Sequence, residues 1–336
     1  MNRGKPNYFD SLFSQLKEKL PNLEIHKNEA IAKYTPIKAG GKTKILINIR
    51  SSNSLLQLLL LLKKRQVFNK IPVIIAGGLT NTIFPNNVFR GILIRSFSLK
   101  KPTFSKTEIT ADSGYSLKTL IDKLTKKGIS GLEIFTGIPG TIVGAVTGNI
   151  HGFGGVLFSN FIKKIKVFNL KNGKTEYLKS KDCRFAYNQS IFKKNNKLII
   201  LEVRFSLKTL KRKNREEVKK TIDTILEAKK NQPQNSLGCA FSNLSKHQQK
   251  KHNFPTNSTG WFIENKLNLK GFVLGDFKIS ENHANFIVPA DSQKRTNNAG
   301  DYLALIKKIK KAAWSKFHLR LKPEVKIISI PKNFQP

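Results

Sequence analysis

Acidic residues are scarce in this chain of 336 residues: 21 Asp and Glu stand against 61 Lys and Arg, a formal net charge of +40. Cysteine is nearly absent. Cys183 and Cys239 are the only two, which excludes a disulfide-stapled scaffold and fits a reducing compartment. The six histidines and two cysteines show no C-x-x-C or H-x-x-x-H spacing, so no metal site is expected. Long apolar runs are missing as well. The longest is Leu58–Leu62, against about 20 residues for a membrane span. Residues 1–20 hold no continuous apolar segment of the signal-peptide kind. A cytoplasmic protein without a membrane partner is the expectation. Arginine is sparse too, 11 against 50 lysines. Arginine is the side chain suited to bidentate phosphate recognition, and the lysines run through the whole chain. We therefore read the charge as lysine-rich solvated surface and expect no specific nucleic-acid partner, although positive potential draws in small anions. With 39% hydrophobic and 9% aromatic residues, the chain is too apolar to be disordered.

The apolar spacing divides the chain into α+β units. Phe9, Leu12, Phe13, Leu16 and Leu20 share a helix face. A strand over Lys44–Ile49, a leucine-rich helix over Ser54–Arg65, and strands over Pro72–Ala76 and Gly91–Arg95 make a small β-α-β unit. The second unit starts near residue 100 with a strand over Thr107–Ala111. A helix capped by Ser116 follows, carries Leu117, Leu120, Ile121 and Leu124 on one face, and stops at Gly128. Strands follow over Lys164–Leu170 and Thr175–Leu178, turned at Asn172-Gly173, and over Leu198–Leu207. A charged connecting helix in Lys208–Gln234 leads to a third unit. There Gly260–Asn265 and Asp301–Lys311 read as helices, and Ala284–Val288 and Val325–Ile330 as strands. The expected divisions are 1–99, 100–207 and 208–336.

Two glycine-bearing stretches stand out. Gly77-Gly78-Leu79-Thr80-Asn81 follows an apolar strand, where backbone N–H groups can approach a phosphate. It is not G-x-G-x-x-G and lacks a downstream acid, which disfavours a Rossmann site; alone, it also fits an ordinary turn. The second stretch is more specific. Gly137-Ile138-Pro139-Gly140-Thr141 leads through Gly144 to Gly148-Asn149, and seven of the nineteen residues 137–155 are glycine. Each glycine raises the entropy cost of folding, so such density points to close approach of a large flat or phosphorylated ligand. Farther on, Tyr187-Asn188-Gln189-Ser190 forms a polar patch. Cys239 follows Gly238, His283 and Asn285 sit near Ser280, and Glu324 opens an apolar strand. A thiol in such a setting can be an acid, a base, a nucleophile or a buried apolar group.

In this order, the segments resemble the UDP-N-acetylenolpyruvoylglucosamine reductase (UDP-N-acetylmuramate dehydrogenase) family over about Asn28 to Ile330. The matching pieces are Tyr34-Thr35 with Gly40-Gly41, the Gly77–Asn81 loop, Gly137–Thr141, Gly144-Ala145 with Gly148-Asn149, and Tyr187 with Ser190. Farther along come Gly238-Cys239-Ala240-Phe241, His283-Ala284-Asn285-Phe286 and Pro323-Glu324-Val325. The resemblance implies an α+β fold: two FAD-binding subdomains of the FAD-linked oxidase type and a C-terminal substrate-binding domain. It implies noncovalent FAD, NADPH as reductant, and a UDP-sugar enolpyruvyl ether as substrate in peptidoglycan precursor synthesis. FAD would be held by Gly77, Gly78, Leu79, Thr80, Asn81, Gly137, Ile138, Pro139, Gly140, Thr141, Gly144 and Asn149. Substrate would be held by Tyr187, Ser190, Asn243, His283 and Asn285. Cys239 matches the family's proton donor and Glu324 its catalytic glutamate.

Three positions depart from the family pattern. Asn188 stands where the family has a catalytic Arg, so a nearby cation such as Arg184 or a lysine is expected to compensate. Leu79 stands where the phosphate loop usually has Gly, and Ser242 where a Lys is usual. A Tyr-bearing insertion of one family type is missing between Leu198 and Lys230. Two other readings stay open at this point: a different FAD-linked oxidoreductase acting on an alcohol or sugar acid, and a basic flavoprotein without this activity.

Overall fold

The helix Tyr8–Lys19 begins where Asn7 accepts the Phe9 amide on its side chain, and it buries Phe9, Leu12 and Leu16, the face read from the sequence. The computed structural model describes residues 7–105, 108–209, 215–294 and 296–329. Thr107, Ile330 and residues 210–214, which fall within expected elements, lie outside that range.

Contacts divide the described residues into two units. One draws on 1–27, 44–78 and 90–230, the other on 28–43, 79–89 and 231–336. The first unit holds two hydrophobic cores. In one, a four-stranded sheet runs in the order Glu24–Ala30, Lys42–Ile49, Phe89–Ser96, Val73–Ala76. The helix Ser52–Lys64 joins that core with Leu55, Leu58, Leu59 and Leu62. Val73–Ala76 and Phe89–Ser96 pair in parallel, as a β-α-β reading requires. The strand Glu24–Ala30 was not anticipated. Its sequence EIHKNEA buries only Ile25 fully, so it carries almost no apolar pattern.

The other core of this unit lies on a five-stranded sheet ordered Lys174–Lys179, Ile162–Asn169, Leu198–Phe205, Ile109–Asp112, Thr103–Phe104. Asn172-Gly173 turns the chain between the first two of these, with Gly173 at φ +76, as the dipeptide predicts. The helix Leu117–Lys126 starts at the Ser116 cap and buries Leu117, Leu120, Ile121 and Leu124. Each buried aliphatic side chain contributes roughly 1.5–3 kcal/mol, so the four anchor the helix firmly. The glycine-dense stretch is ordered here into a short helix, Ile142–Gly148, closed by Asn149 at φ +42.

The second unit is built around the helix Ala299–Phe317, which buries Tyr302, Leu305, Ile306, Ile309 and Ala313. It shares its core with the strands Phe277–Ile279 and Ile287–Pro289 and with Phe262 and Ile263. Two corrections to the sequence reading arise here. The expected strand Ala284–Val288 is a strand only over Ile287–Pro289. Its first part is a loop, shaped by Ser280, whose hydroxyl accepts the Asn282 and His283 amides. The boundary expected at 208 also differs: the helix Arg215–Lys229 belongs with the first unit, and residues 28–43 and 79–89 belong with the second.

No lysine or arginine is buried among the described residues, which agrees with reading the charge as solvated surface. Among those residues no helix is long and apolar enough to cross a membrane.

Candidate active site

Three stretches converge in the second unit. Cys239 bridges to Phe286 in antiparallel fashion, and Phe241 bridges to Pro323. The Ala240 amide donates to the Asn285 carbonyl at 2.6 Å, and the Glu324 amide donates to the Ala240 carbonyl at 2.9 Å. The segment carrying Cys239 is thus braced between the segments carrying Asn285 and Glu324. Backbone bonding of this kind sets side chains more exactly than a free loop does. The adjoining pair Lys326–Ile327 and Thr82–Ile83 is parallel, and the Asn81 amide side chain donates to the Glu324 carbonyl at 3.4 Å. Asn81, from the first glycine-bearing loop, therefore touches the backbone of Glu324.

The environment of Cys239 is specific. The residue is half-buried. Burial first, and then the Glu324 charge, push its thiol up to about 12, while a hydrogen bond from Asn285 opposes them. The thiol stays protonated throughout the neutral range and so holds a proton to give. His283 is half-buried and leans on the Phe286 ring at 4.8 Å. Burial holds its pKa below the usual value, so the imidazole is neutral at pH 7. Its Nδ1 accepts the Asn285 amide at 3.2 Å, which leaves the proton on Nε2. Two residues expected to contact substrate make local hydrogen bonds. The Asn285 side chain is bonded to the Phe241 backbone, and Asn243 accepts the Thr259 amide at the start of the helix Thr259–Asn265.

The first unit holds a second group. Ala186 and Gln189 exchange backbone hydrogen bonds around a tight turn with Tyr187 and Asn188 at its tip. Asn188 adopts φ +53, a conformation that asparagine tolerates better than most residues. The Asn149 side chain ties the turn to the glycine-dense stretch, donating to the Ala186 carbonyl at 2.9 Å and accepting the Ser159 amide at 2.9 Å. Ser190, buried, donates to the Thr147 carbonyl at 2.7 Å. Both residues hold the scaffold. The exposed Tyr187 ring lies 4.8 Å from that of His151.

The Lys193 ammonium donates to the Asn188 carbonyl at 3.0 Å. The Lys229 ammonium donates to the Thr136 carbonyl at 2.7 Å and lies over Gly137. Burial lowers the Lys229 pKa. Burial, aided by the Lys229 charge and opposed by the Asn188 amide, lowers that of His151. Arg184, expected to compensate for Asn188, is an exposed residue at φ +48.

The first unit fits FAD on two counts. Thr136 Oγ1, Thr141 Oγ1, His151 Nδ1 and Asn188 Nδ2 are buried without a hydrogen-bond partner among the described residues. A buried unpaired polar atom costs about 1–3 kcal/mol, and a ligand with polar edges would relieve those it reaches. The backbone beside it is also bare. A Cβ on Gly77 would overlap the Thr141 hydroxyl, whereas nothing lies within 4 Å of one built on Gly144, Gly154 or Gly155. Leu79 adopts φ +56 and is buried. It takes the backbone conformation that favours the usual glycine and packs its side chain inward. Lys229 and Thr136, which sit beside Gly137, carry no motif and were not singled out from the sequence.

Comparison with known proteins identifies the family. Residues 230–328 match the family described as UDP-N-acetylenolpyruvoylglucosamine reductase, C-terminal domain, and residues 45–178 match the FAD binding domain family. The UDP-N-acetylenolpyruvoylglucosamine reductase of Caldanaerobacter subterraneus is 30% identical over 319 residues, covering 94% of this chain and 98% of the relative. That of Bacillus pumilus is 31% identical over 317 residues, covering 93% and 98%. The crystal structure of the Thermus caldophilus enzyme superposes with a TM-score of 0.71 at 24% identity, covering 91% of this chain and 99% of that one, and supports the fold.

Proposed function

Because the chain belongs to the UDP-N-acetylenolpyruvoylglucosamine reductase family and reduces the enolpyruvyl ether of UDP-N-acetylglucosamine to UDP-N-acetylmuramate, we propose that Cys239, Glu324 and Asn188 carry the chemistry and that the two glycine-bearing loops hold FAD. When bound, FAD supplies hydride transfer from NADPH to C3 of the enolpyruvyl group. The readings as an alcohol or sugar-acid oxidoreductase, or as a flavoprotein without this activity, give way to the family match across both parts of the chain.

The protein's share of the work is to bind, orient and deliver a proton. Gly77, Gly78, Gly137, Gly140 and Thr141 would present backbone N–H groups to the cofactor, with the Thr141 and Thr136 hydroxyls and the His151 and Asn188 nitrogens at its polar edges. Cys239 Sγ would donate its proton to C2 of the enol. The Asn285 amide, which favours the charged sulfur, would receive the thiolate. Glu324 would accept from the enol hydroxyl, and Asn188 would donate to an enol oxygen. Neutral asparagine stabilises developing negative charge less than a charged donor does. Lys229 and Lys193 would supply the missing positive charge. Tyr187 and His283 would contact the sugar nucleotide. The reaction would take place in the cytoplasm, a reading supported by two free cysteines in a chain of this length.

The observation that carries the assignment is the brace that sets a protonated thiol at Cys239 beside Glu324. It is tested with purified protein by NADPH oxidation dependent on the enolpyruvyl ether. Cys239→Ala is expected to abolish substrate-dependent oxidation while acid still releases free FAD. Undiminished turnover in that variant would remove Cys239 from the mechanism.

A further inference from the structure

We infer that His151 is a positioning residue for Tyr187: its imidazole stacks on the phenol ring and holds that ring in one orientation at the tip of its turn. The inference rests on the reading of Tyr187 as a contact of the sugar nucleotide.

Tyr187 is 49% exposed. An exposed side chain ordinarily changes rotamer within nanoseconds, and ordering it on binding lowers affinity. Here the half-buried His151 ring lies against it, with centroids 4.8 Å apart and planes tilted by 31°, a separation at which aromatic rings attract. The polar edges of the two rings meet as well. Tyr187 Oη stands 3.5 Å from His151 Nε2, at the outer limit of a hydrogen bond, so the stack is the main contact. The other ring nitrogen, Nδ1, is buried without a hydrogen-bond partner among the described residues and stays available to the cofactor. Because Tyr187 remains so exposed, the pair buries little surface, and its effect is on orientation more than on stability.

The backbone under both rings is fixed. His151 bridges to Leu157 in antiparallel fashion. On either side of it, the Phe158 amide donates to the Ile150 carbonyl at 2.9 Å and the Gly152 amide donates to the Val156 carbonyl at 2.8 Å. Gly152 is also pressed against the next segment: a Cβ there would stand 2.7 Å from the Ile134 carbonyl oxygen. Tyr187 is carried by the turn that Ala186 and Gln189 close. The Asn149 side chain donates to the Ala186 carbonyl at 2.9 Å, so it ties the residue before Tyr187 to a point two residues before His151. The stack is thus set between two braced segments of one unit, which is how a contact residue is held ready for its ligand.

The test is a double-mutant cycle on oxidised holoprotein at saturating FAD. Binding of the enolpyruvyl ether is measured by titration calorimetry without NADPH, so no turnover occurs. The variants are His151→Leu, which fills similar space without a ring, His151→Phe, which keeps the stack, Tyr187→Ala, and His151→Leu combined with Tyr187→Ala. His151→Leu is expected to weaken binding about three- to tenfold, the worth of one aromatic pair, and His151→Phe to stay within about twofold of wild type. In the Tyr187→Ala background, His151→Leu is expected to weaken binding no further, because the two residues act as one unit. Wild-type affinity in His151→Leu, equal weakening by it in both backgrounds, or a loss in His151→Phe as large as in His151→Leu would overturn the inference and leave Tyr187 as a contact. Wild-type affinity in Tyr187→Ala would remove the reading of Tyr187, and the inference with it.

Discussion

Asn285 grips the backbone of Phe241 from both sides: its Nδ2 donates to the Phe241 carbonyl at 2.7 Å and its Oδ1 accepts the Phe241 amide at 3.0 Å. The side chain thereby substitutes for a strand neighbour, and it holds the Cys239 segment, whose Ala240 carbonyl accepts the Glu324 amide. Asn285→Ala would leave two buried backbone groups unpaired. We expect a loss of roughly 2–4 kcal/mol of stability, read by denaturant unfolding. We also expect slower flavin reoxidation with little change in reduction by NADPH. Equal slowing of both half-reactions would show that Asn285 acts on the whole fold rather than on the donor.

Gly77 and Gly144 separate two uses of glycine. A Cβ at Gly77 would collide with the Thr141 hydroxyl, whereas at Gly144 it meets only open space. Gly77→Ala is expected to reduce FAD content at purification several-fold, because the loop must shift away from Thr141. Gly144→Ala, by contrast, tests whether that open space belongs to the cofactor. If it does, the apoprotein keeps its stability while FAD affinity falls. Full FAD content in both variants would contradict the assignment of these loops.

His151 and His283 give a pH dependence of fixed sign. Burial lowers both folded-state pKa values below the unfolded value of about 6.5. The unfolded chain therefore binds protons more readily in this window, and these histidines favour the folded state only while neutral. Their contribution is present above about pH 6.5 and is lost as pH falls through the folded pKa values. The melting temperature is expected to drop on acidification below pH 6.5, and replacing both histidines with Gln should flatten that part of the profile. A rise in stability over the same window would show that the imidazoles are not desolvated.

Asn188 tests where the positive charge comes from. With Lys193 on its carbonyl and Lys229 over Gly137, Asn188→Arg is expected to bring no gain in the oxidative half-reaction. Lys229→Met is expected to slow it about a hundredfold or more, the order of effect seen when one stabilising donor is removed. An increase of ten times or more in Asn188→Arg would instead mean that the natural enzyme lacks a charge that these lysines do not replace.

Much of the fold was legible where local chemistry and burial agree. Ser116 caps its helix, Asn172-Gly173 turns its hairpin, and the leucines of Ser52–Lys64 share one buried face. The strand Glu24–Ala30 was hidden because its polar residues are held by backbone pairing, which leaves little apolar alternation to read. The return of residues 28–43 and 79–89 to the C-terminal unit was hidden for another reason. It depends on distant pairings such as Thr82 with Lys326, and no short-range pattern encodes those. In the site, the bridging of the Cys239 segment to those of Asn285 and Glu324 was hidden, because it is long-range and carries no local sequence signal. The bracing hydrogen bonds of Asn149, Ser190 and Asn285 were hidden too, because a polar side chain that binds ligand and one that braces a loop look alike in sequence.

The most direct test of the account separates the two half-reactions at Cys239. Flavin reduction by NADPH and its reoxidation by the enolpyruvyl ether are each followed by stopped-flow absorbance in wild type, Cys239→Ser and Cys239→Ala. General acid catalysis is worth about 10²–10⁴ in rate. Cys239→Ala should therefore slow reoxidation by at least about a hundredfold while reduction stays within about twofold of wild type, and Cys239→Ser should retain substantial reoxidation. Reoxidation at the wild-type rate in Cys239→Ala, or the same loss in both half-reactions, would contradict the assignment of Cys239 as the proton donor.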